Sequence, residues 1–252
     1  MKTTTQDEWL SPPGSHLLLE TGEVHVWRAH LHEEPEQLAV SRSILAPDER
    51  EKADRFYFER DRVRFIVARS ALRRILSRYL NISPAHIVFS YNQYGKPDLS
   101  AAAGEPRLRF NVSHSHERAL YAIARGGEVG VDIEFVREDF ASLEIAERFF
   151  SPREIEMLRR LPEQLRTGAF FNCWTRKEAY IKALGEGLSH PLDKFAVSLA
   201  PGEPAALLSH DDHPLEPARW SWVELLSGEG YAAALAFEGE LRRLRRWQFG
   251  LP

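Results

Sequence analysis

The chain has 252 residues, of which 43% are hydrophobic, and it carries a formal net charge of −4 and a single cysteine, Cys173. This composition excludes a disordered chain, a strongly basic nucleic-acid-binding protein and an internal disulfide bond. Because no apolar run approaches the roughly 18 residues of a membrane-spanning helix, we expect a cytoplasmic protein that binds neither membranes nor nucleic acid.

The first half of the chain is predicted to begin with a polar arm over residues 1–22 and a strand that contains Val24 and Val26. Its longest helical pattern extends from Asp61 to Leu80. The other predicted elements are helices over 35–45 and 47–58, strands over 87–91, 108–112 and 119–124, a turn over 94–97, and a polar loop over 113–116.

A basic segment lies between Arg50 and Arg78. It contains ten Lys or Arg residues and four acidic ones, so the rest of the chain must carry a charge of −10. A local excess of this kind in an acidic protein favours an anion-binding site, although a helix with a solvated, salt-bridged face would have the same composition.

The segment Val129–Phe135 has the alternation of a strand and contains two acidic residues, Asp132 and Glu134. Residues two apart on a strand point to the same side, so the two carboxylates lie close together and repel each other unless a cation is present. Carboxylate oxygens are the ligands that Mg²⁺ prefers, usually together with water and substrate phosphate. The alternative for Asp-x-Glu alone is the solvated face of an edge strand.

The second half of the chain repeats the order of the first, with a long helix followed by a strand, a turn containing Pro and Gly, and a strand hairpin. The repeat predicts an α+β fold of two similar lobes in a pseudo-dimer arrangement, with one lobe over residues 1–126, the other over 127–252, and a site in the cleft between them. A monomer is then expected. The predicted elements are helices over 142–150, 152–160 and 163–184 and strands over 195–199, 220–225 and 231–237, with 241–247 left open between strand and surface helix.

The predicted helix over 163–184 carries a second charged group. Glu178 and Lys182 are i,i+4 neighbours on one face, and Lys177 is adjacent to them. This group is either an ordinary surface ion pair or a third metal-binding carboxylate flanked by two lysines that neutralise a pyrophosphate.

Together, these motifs resemble those of 4′-phosphopantetheinyl transferases of the surfactin-synthetase-activator (Sfp) type. Ordered matches cover about residues 50–197, which makes the resemblance specific. The matching segments are Arg-Glu-Lys at 50–52 with Arg-Phe-Tyr at 55–57, Tyr-Gly-Lys-Pro at 94–97, Phe-Asn-Val-Ser-His-Ser at 110–115, Gly-Val-Asp-Ile-Glu at 130–134, a Ser-Leu-Glu-Ile-Ala segment at 142–146, and Trp-Thr-Arg-Lys-Glu-Ala-Tyr-Ile-Lys at 174–182.

The resemblance implies an enzyme that moves the phosphopantetheine arm of coenzyme A to a serine of an apo acyl or peptidyl carrier protein and releases 3′,5′-ADP. It implies Mg²⁺ bound by Asp132, Glu134 and Glu178, with Glu178 as the general base and Lys182 close to the leaving group. The catalytic residues would be Glu178, Lys182 and Asp132. The residues expected to bind coenzyme A are Arg50, Lys52, Arg55, Gly95, Lys96, Pro97, Ser113, His114, Lys177 and Lys182.

Three residues depart from the family pattern. Glu49 and Phe65 stand where several relatives have a basic residue and a threonine near the nucleotide, and His116 stands where glycine is common. Cys173 is expected to be a packed apolar residue, and the histidines show no zinc-binding spacing.

Two other classes of function are compatible with the same carboxylates. One is a different Mg²⁺-dependent phosphotransferase or hydrolase, but the sequence has neither a phosphate-binding P-loop nor a kinase glycine loop. The other is a non-catalytic module that binds coenzyme A or a carrier protein, but the three acids and two lysines of the family are all present.

Overall fold

The computed structural model describes residues 8–14, 16–100 and 108–250. The first half contains β1 (Glu23–His30), α1 (Pro35–Ser43), α2 (Pro47–Asp54), α3 (Glu59–Leu80), β2 (Phe89–Tyr91), β3 (Pro97–Leu99), β4 (Leu108–Ser115) and β5 (Arg118–Arg125). The second half contains β6 (Val129–Phe135), α4 (Leu143–Phe149), α5 (Pro152–Arg160), α6 (Glu163–Leu184), β7 (Phe195–Val197), β8 (Leu207–His210), β9 (Trp220–Glu224), β10 (Tyr231–Glu238) and β11 (Arg243–Phe249).

The order of the strands confirms the predicted α+β fold with two similar lobes. The first sheet has the order β11-β1-β5-β4 and the second has the order β6-β10-β9, so β1-β5-β4 corresponds to β6-β10-β9. Each lobe also has a 22-residue helix, α3 or α6, and a two-stranded hairpin, β2-β3 or β7-β8. Both long helices end at a residue with positive φ, Asn81 or Gly185, which is a common way to terminate a helix.

Each lobe is held together by a hydrophobic core between its long helix and its sheet. In the first lobe, Ala71 and Ile75 of α3 are buried with Trp27 of β1 and Tyr121 of β5. In the second lobe, Ala179 and Ala183 of α6 are buried against β10. Burying a large apolar side chain stabilises the fold by about 1.5–3 kcal/mol, so these layers fix the position of each helix on its sheet.

A third apolar layer joins the two sheets. It contains Val26 and Leu120 from the first sheet and Val131, Ile133 and Leu235 from the second, all fully buried. Because Val131 and Ile133 occupy this layer, alternate residues of β6 face the other way. The layer therefore determines the side of β6 on which Asp132 and Glu134 lie.

Gly130 allows α6 to approach β6 closely. A Cβ atom at this position would lie 1.9 Å from the carbonyl oxygen of Ala179, which is backbone and cannot move aside. The absence of a side chain brings the strand with the two acids next to the helix that carries Glu178 and Lys182.

Two sequence predictions are corrected by the fold. Residues 113–116 were expected to form a loop, but β4 continues through Ser115, because its backbone pairs with β5 up to Arg118 and the Ser113 and Ser115 side chains meet β6. The segment 241–247, left open from sequence, contains a strand: β11 pairs in parallel with β1, with Val26 opposite Arg246. The division after residue 126 stays a prediction, but β11 crosses it by completing the first sheet.

Within the described residues, no helix is both long and apolar enough to span a lipid bilayer.

Candidate active site

The two acids of β6 lie on one side of the strand, as their spacing predicted, and both contact β4. The Ser113 hydroxyl donates a hydrogen bond to Asp132 Oδ1 at 2.8 Å, and the Ser115 hydroxyl donates one to Glu134 Oε2 at 2.9 Å. Asp132 is only 1% exposed. Its other oxygen, Oδ2, is buried without a hydrogen-bond partner among the described residues.

Lys182 of α6 supplies the positive charge next to these acids. Its Nζ donates to Asp132 Oδ1 and, at 2.9 Å, to the Ser113 hydroxyl. Burial opposes the charge of this ammonium, but the ion pair with Asp132 and the charges of Glu178 and Glu134 together outweigh burial and raise the pKa of Lys182. Lys182 therefore neutralises part of the negative charge of these acids.

Glu178 lies one helical turn before Lys182 and belongs to the same cluster of charges. Burial, followed by the negative charges of Asp132 and Glu134, raises its pKa to about 7. Burial and the charge of Asp132 also raise the pKa of Glu134. A carboxyl group that gains and loses a proton near neutral pH can act as a general base or bind a cation once deprotonated.

Lys177 does not lie in the cleft. Its side chain is 1% exposed, its Nζ donates to the Leu192 carbonyl at 2.7 Å, and it forms an ion pair of 2.8 Å with Glu154, which is fully buried. Consecutive helix residues point about 100° apart, so Lys177 faces the core of the second lobe while Glu178 faces the cleft. The structure therefore contradicts the expected contact between Lys177 and a phosphate group.

A cavity of about 230 Å³ opens beside Lys182 and is lined in part by Gly95, Lys96 and Pro97. Lys96 links the β2-β3 turn to the end of α6, because its Nζ donates to the Ala183 carbonyl at 2.8 Å. Burial is also the main cause that lowers the pKa of Lys96. The Tyr-Gly-Lys-Pro turn and Asp132 are thus linked through Lys182, which lines the cavity and pairs with this acid.

His114 lies near the end of β4, and its side chain is exposed close to Lys182. Desolvation by the surrounding protein, followed by the charge of Lys182, lowers its pKa, and Arg64 of α3 acts in the same direction. Two cations near one imidazole indicate a region that attracts anions.

The basic residues predicted from the first segment have local partners. The guanidinium of Arg50 donates to the carbonyl of Leu45, Lys52 lies over the ring of Phe65, and Arg55 pairs with Glu51 at 4.0 Å. None of these contacts links α2 to the acids of β6.

The acids match the ligand chemistry of Mg²⁺ but are not arranged as a finished site. Within the described residues, no three His, Cys, Asp or Glu side chains already form a group that could hold a metal ion. The unpartnered Asp132 Oδ2 and the raised pKa values of Glu134 and Glu178 are what an added cation would relieve. The residues fit such an ion, provided that Lys182 or Glu178 changes its side-chain position.

Sequence reasoning gave Ser115 and Arg64 no role. Ser115 was quoted only as part of a motif, and its contact with Glu134 depends on how β4 lies beside β6. A signal was present, because Ser113 and Ser115 have the same two-residue spacing as Asp132 and Glu134. Glu49, a departure from the family pattern, is a structural residue that pairs with Arg73 at 2.7 Å and caps α2.

Comparison with known proteins agrees with the geometry. Residues 128–236 match the family model of the 4′-phosphopantetheinyl transferase superfamily, and residues 27–125 match that of 4′-phosphopantetheinyl transferase, N-terminal. The chain is 39% identical to 4′-phosphopantetheinyl transferase HetI of Nostoc sp. over 97% of this chain and 99% of that protein.

Two further relatives match a smaller share of the chain. The chain is 36% identical to 4′-phosphopantetheinyl transferase Sfp of Bacillus subtilis over 68% of this chain and 74% of that protein. It is 36% identical to a putative 4′-phosphopantetheinyl transferase of Synechocystis sp. over 60% of this chain and 61% of that protein. The matched models, the near full-length relative and the two-lobed fold together place this chain in the 4′-phosphopantetheinyl transferase family.

Proposed function

We propose that this enzyme transfers the 4′-phosphopantetheine arm of coenzyme A to a serine hydroxyl of apo acyl or peptidyl carrier proteins, releases 3′,5′-ADP, and depends on Mg²⁺. The observation that supports this most is the convergence of Asp132, Glu134, Glu178 and Lys182 in one cluster of charges, with Lys182 also lining a cavity beside the Gly95–Pro97 turn. The cleft combines acids for a metal with cations for phosphate groups, which is what phosphoryl transfer requires.

Mg²⁺ would be held by Asp132, Glu134 and Glu178. When bound, it would neutralise the negative charge of the pyrophosphate, including the charge that develops as the bond to the leaving group breaks. Asp132 Oδ2 is buried and has no hydrogen-bond partner among the described residues, and so it is the first candidate ligand.

The reaction forms a bond between the serine oxygen and the phosphorus that carries pantetheine, and it breaks the bond from that phosphorus to the bridging oxygen. Glu178 would accept the serine proton directly or through a water. Lys182 would donate a hydrogen bond or proton to the oxygen that leaves with 3′,5′-ADP, and its position on Asp132 and Ser113 keeps it in the cleft.

The nucleotide end of coenzyme A would lie near His114 and Lys96, with Ser113, Arg50, Lys52 and Arg55 as further candidates from the family resemblance. We expect His114→Ala to weaken coenzyme A binding about tenfold, and dephospho-coenzyme A binding less, because the 3′-phosphate loses a charge-assisted hydrogen bond. Calorimetric titration with both ligands measures the difference, and His86→Ala, at an exposed position, is the matched control. Equal losses for the two ligands would contradict this role.

The same interaction predicts a pH dependence. The pKa of His114 lies below its usual 6.5 in the ligand-free protein, and a bound phosphate would raise it. Affinity for coenzyme A is therefore expected to increase as the pH falls from above the His114 pKa of the phosphate-bound protein to below that of the free protein. The increase is expected to be absent from His114→Ala.

Lys177→Met tests whether Lys177 has a structural role or binds a phosphate group. The substitution leaves the buried carboxylate of Glu154 without its counter-ion, and we expect the free energy of unfolding to fall by about 3 kcal/mol. Coenzyme A affinity of the folded protein is expected to stay within about twofold, because Lys177 faces the core. Chemical denaturation and calorimetry measure both, with the exposed Lys194→Met as the control. Wild-type stability together with a large loss of coenzyme A affinity would instead show that Lys177 binds a phosphate group.

Mass spectrometry tests the proposed function directly. An apo carrier protein incubated with the enzyme, coenzyme A and Mg²⁺ is expected to gain the mass of one phosphopantetheine, and the gain is expected to disappear with a chelator. Release of 3′,5′-ADP without a mass gain would indicate a hydrolase, and binding without either product would indicate a non-catalytic module. A panel of carriers from fatty-acid, polyketide and nonribosomal-peptide synthesis identifies the preferred acceptor.

A further inference from the structure

The facing edges of the two sheets are joined by side chains of β4. Asn111 Oδ1, Ser113 Oγ and Ser115 Oγ accept hydrogen bonds from the backbone N–H groups of Val131, Ile133 and Phe135 at 3.0, 3.3 and 3.0 Å. The two members of each pair are 20 residues apart in sequence, so the strands run side by side in the same direction. We call these three contacts the side-chain ladder.

The ladder fixes the direction of each serine hydrogen bond. A backbone N–H can only donate, so the Ser115 oxygen must accept from Phe135, and its single hydrogen remains for Glu134 Oε2 at 2.9 Å. Ser113 has the same arrangement with Ile133 and Asp132. One hydroxyl thus binds the strand and orients the carboxylate that the strand carries.

The two acids depend on their serines to different degrees. Asp132 also receives a hydrogen bond from Lys182, whereas Ser115 is the only hydrogen-bond donor to the Glu134 side chain within the described part of the chain. Removing Ser113 would therefore leave Asp132 with a partner, but removing Ser115 would leave Glu134 free to change its rotamer.

We propose that Ser115 is a positioning residue that orients the Glu134 carboxylate for the metal ion by hydrogen-bonding it while anchoring β6 to the first lobe. This inference deepens the proposed function and rests on its Mg²⁺ dependence. Ser115 does not contact substrate in this role; it acts through Glu134. The ladder also makes the metal-binding strand part of an interlobe contact, because one half of each ladder bond belongs to each lobe.

The test compares Ser115→Ala with Ser115→Thr, which keeps the hydroxyl, and with Ser221→Ala. Ser221 is a matched control because its hydroxyl also joins backbone groups, accepting from Leu241 at 3.1 Å and donating to Gly239 at 2.6 Å, but it contacts no carboxylate. For each variant we would measure Mn²⁺ affinity by electron paramagnetic resonance, the Mg²⁺ concentration for half-maximal transfer, and coenzyme A affinity without metal. Hydrogen exchange of the Phe135 amide is measured in the metal-free protein.

We expect Ser115→Ala to weaken metal affinity about tenfold, the usual effect of losing a residue that orients a metal ligand. Coenzyme A affinity without metal should stay within about twofold of wild type, and exchange at Phe135 should become faster. Ser115→Thr should restore metal affinity and amide protection, and Ser221→Ala should match the wild type in both.

Three results would overturn the inference, and they can be told apart. Metal-dependent transfer by the wild type with unchanged metal affinity in Ser115→Ala would reject the role of Ser115 alone. Transfer by the wild type without any divalent metal would reject this inference and the Mg²⁺ dependence of the proposed function together. Equal loss of metal affinity in Ser115→Ala and Ser115→Thr would show that packing at this position matters and the hydroxyl does not.

Discussion

Asp132→Ala is expected to lower transfer by at least about a thousandfold, because it removes the most buried carboxylate of the site and the group that holds Lys182. A loss of this size corresponds to roughly 4 kcal/mol of transition-state stabilisation. Turnover measured at saturating coenzyme A and carrier tests it, with the exposed Asp193→Ala as the control. Wild-type turnover by Asp132→Ala at physiological Mg²⁺ would contradict the assignment of Asp132 as a catalytic residue.

The same substitution is also expected to destabilise the fold, although it removes repulsion between two acids. Asp132 is the counter-ion of Lys182, and truncating it leaves an ammonium in the cleft without its main partner. Because 28% of the Lys182 side chain is exposed, we expect a loss of only about 2 kcal/mol in the free energy of unfolding. The double variant Asp132→Ala with Lys182→Met should recover stability while remaining inactive, which denaturant unfolding can check.

Glu178→Gln is expected to reduce the turnover number by about a hundred- to ten-thousandfold while making the ligand-free protein more stable at alkaline pH. The amide keeps the shape of the side chain but cannot accept the serine proton. Single-turnover measurements with a preloaded coenzyme A complex separate this loss from any loss of binding. Activity of Glu178→Gln close to that of wild type would show that another group is the general base.

The sign of the stability effect follows from the raised pKa. The pKa of Glu178 is about 7 in the folded protein against an ordinary value of 4.5, so the folded state binds the proton more tightly than the unfolded state. The contribution of Glu178 to wild-type stability therefore decreases as the pH rises from 4.5 to about 7 and stays lower above it. We expect Glu178→Gln to gain about 1–2 kcal/mol relative to wild type at pH 8 and almost nothing at pH 4. Thermal unfolding with a chelator present measures this, and an equal gain at both pH values would contradict it.

Local sequence signals predicted the elements that have clear boundaries. The helix over Pro152–Arg160 follows a Ser-Pro-x-Glu start, and the structure shows Ser151 and Glu154 as a reciprocal cap. The strand over Val129–Phe135 also has its predicted limits, because its apolar residues alternate without interruption. The end of β4 could not be predicted in this way. Ser113 and Ser115 look like loop residues until the carboxylates and amides of β6 are placed beside them.

The site was predictable wherever two residues share one element. Strand spacing placed Asp132 and Glu134 on one face, and helix spacing did the same for Glu178 and Lys182. The direction of Lys177 depended on a distant partner, Glu154, whose position is determined only by the packing of α5 on α6. A motif gives the order of residues along a helix, but which of them is buried is decided by the neighbouring elements.

The pairing of β11 with β1 has a consequence for synthesis of the protein on the ribosome. Glu23 pairs with Arg243, so two adjacent strands of the first sheet are separated by 220 residues of chain. At roughly 5–20 residues per second, β1 waits on the order of 10–40 s for this neighbour. During that interval one edge of β1 is unpaired, and an exposed strand edge can pair with other chains. The edge of β1 therefore stays open to such pairing until β11 has been synthesised.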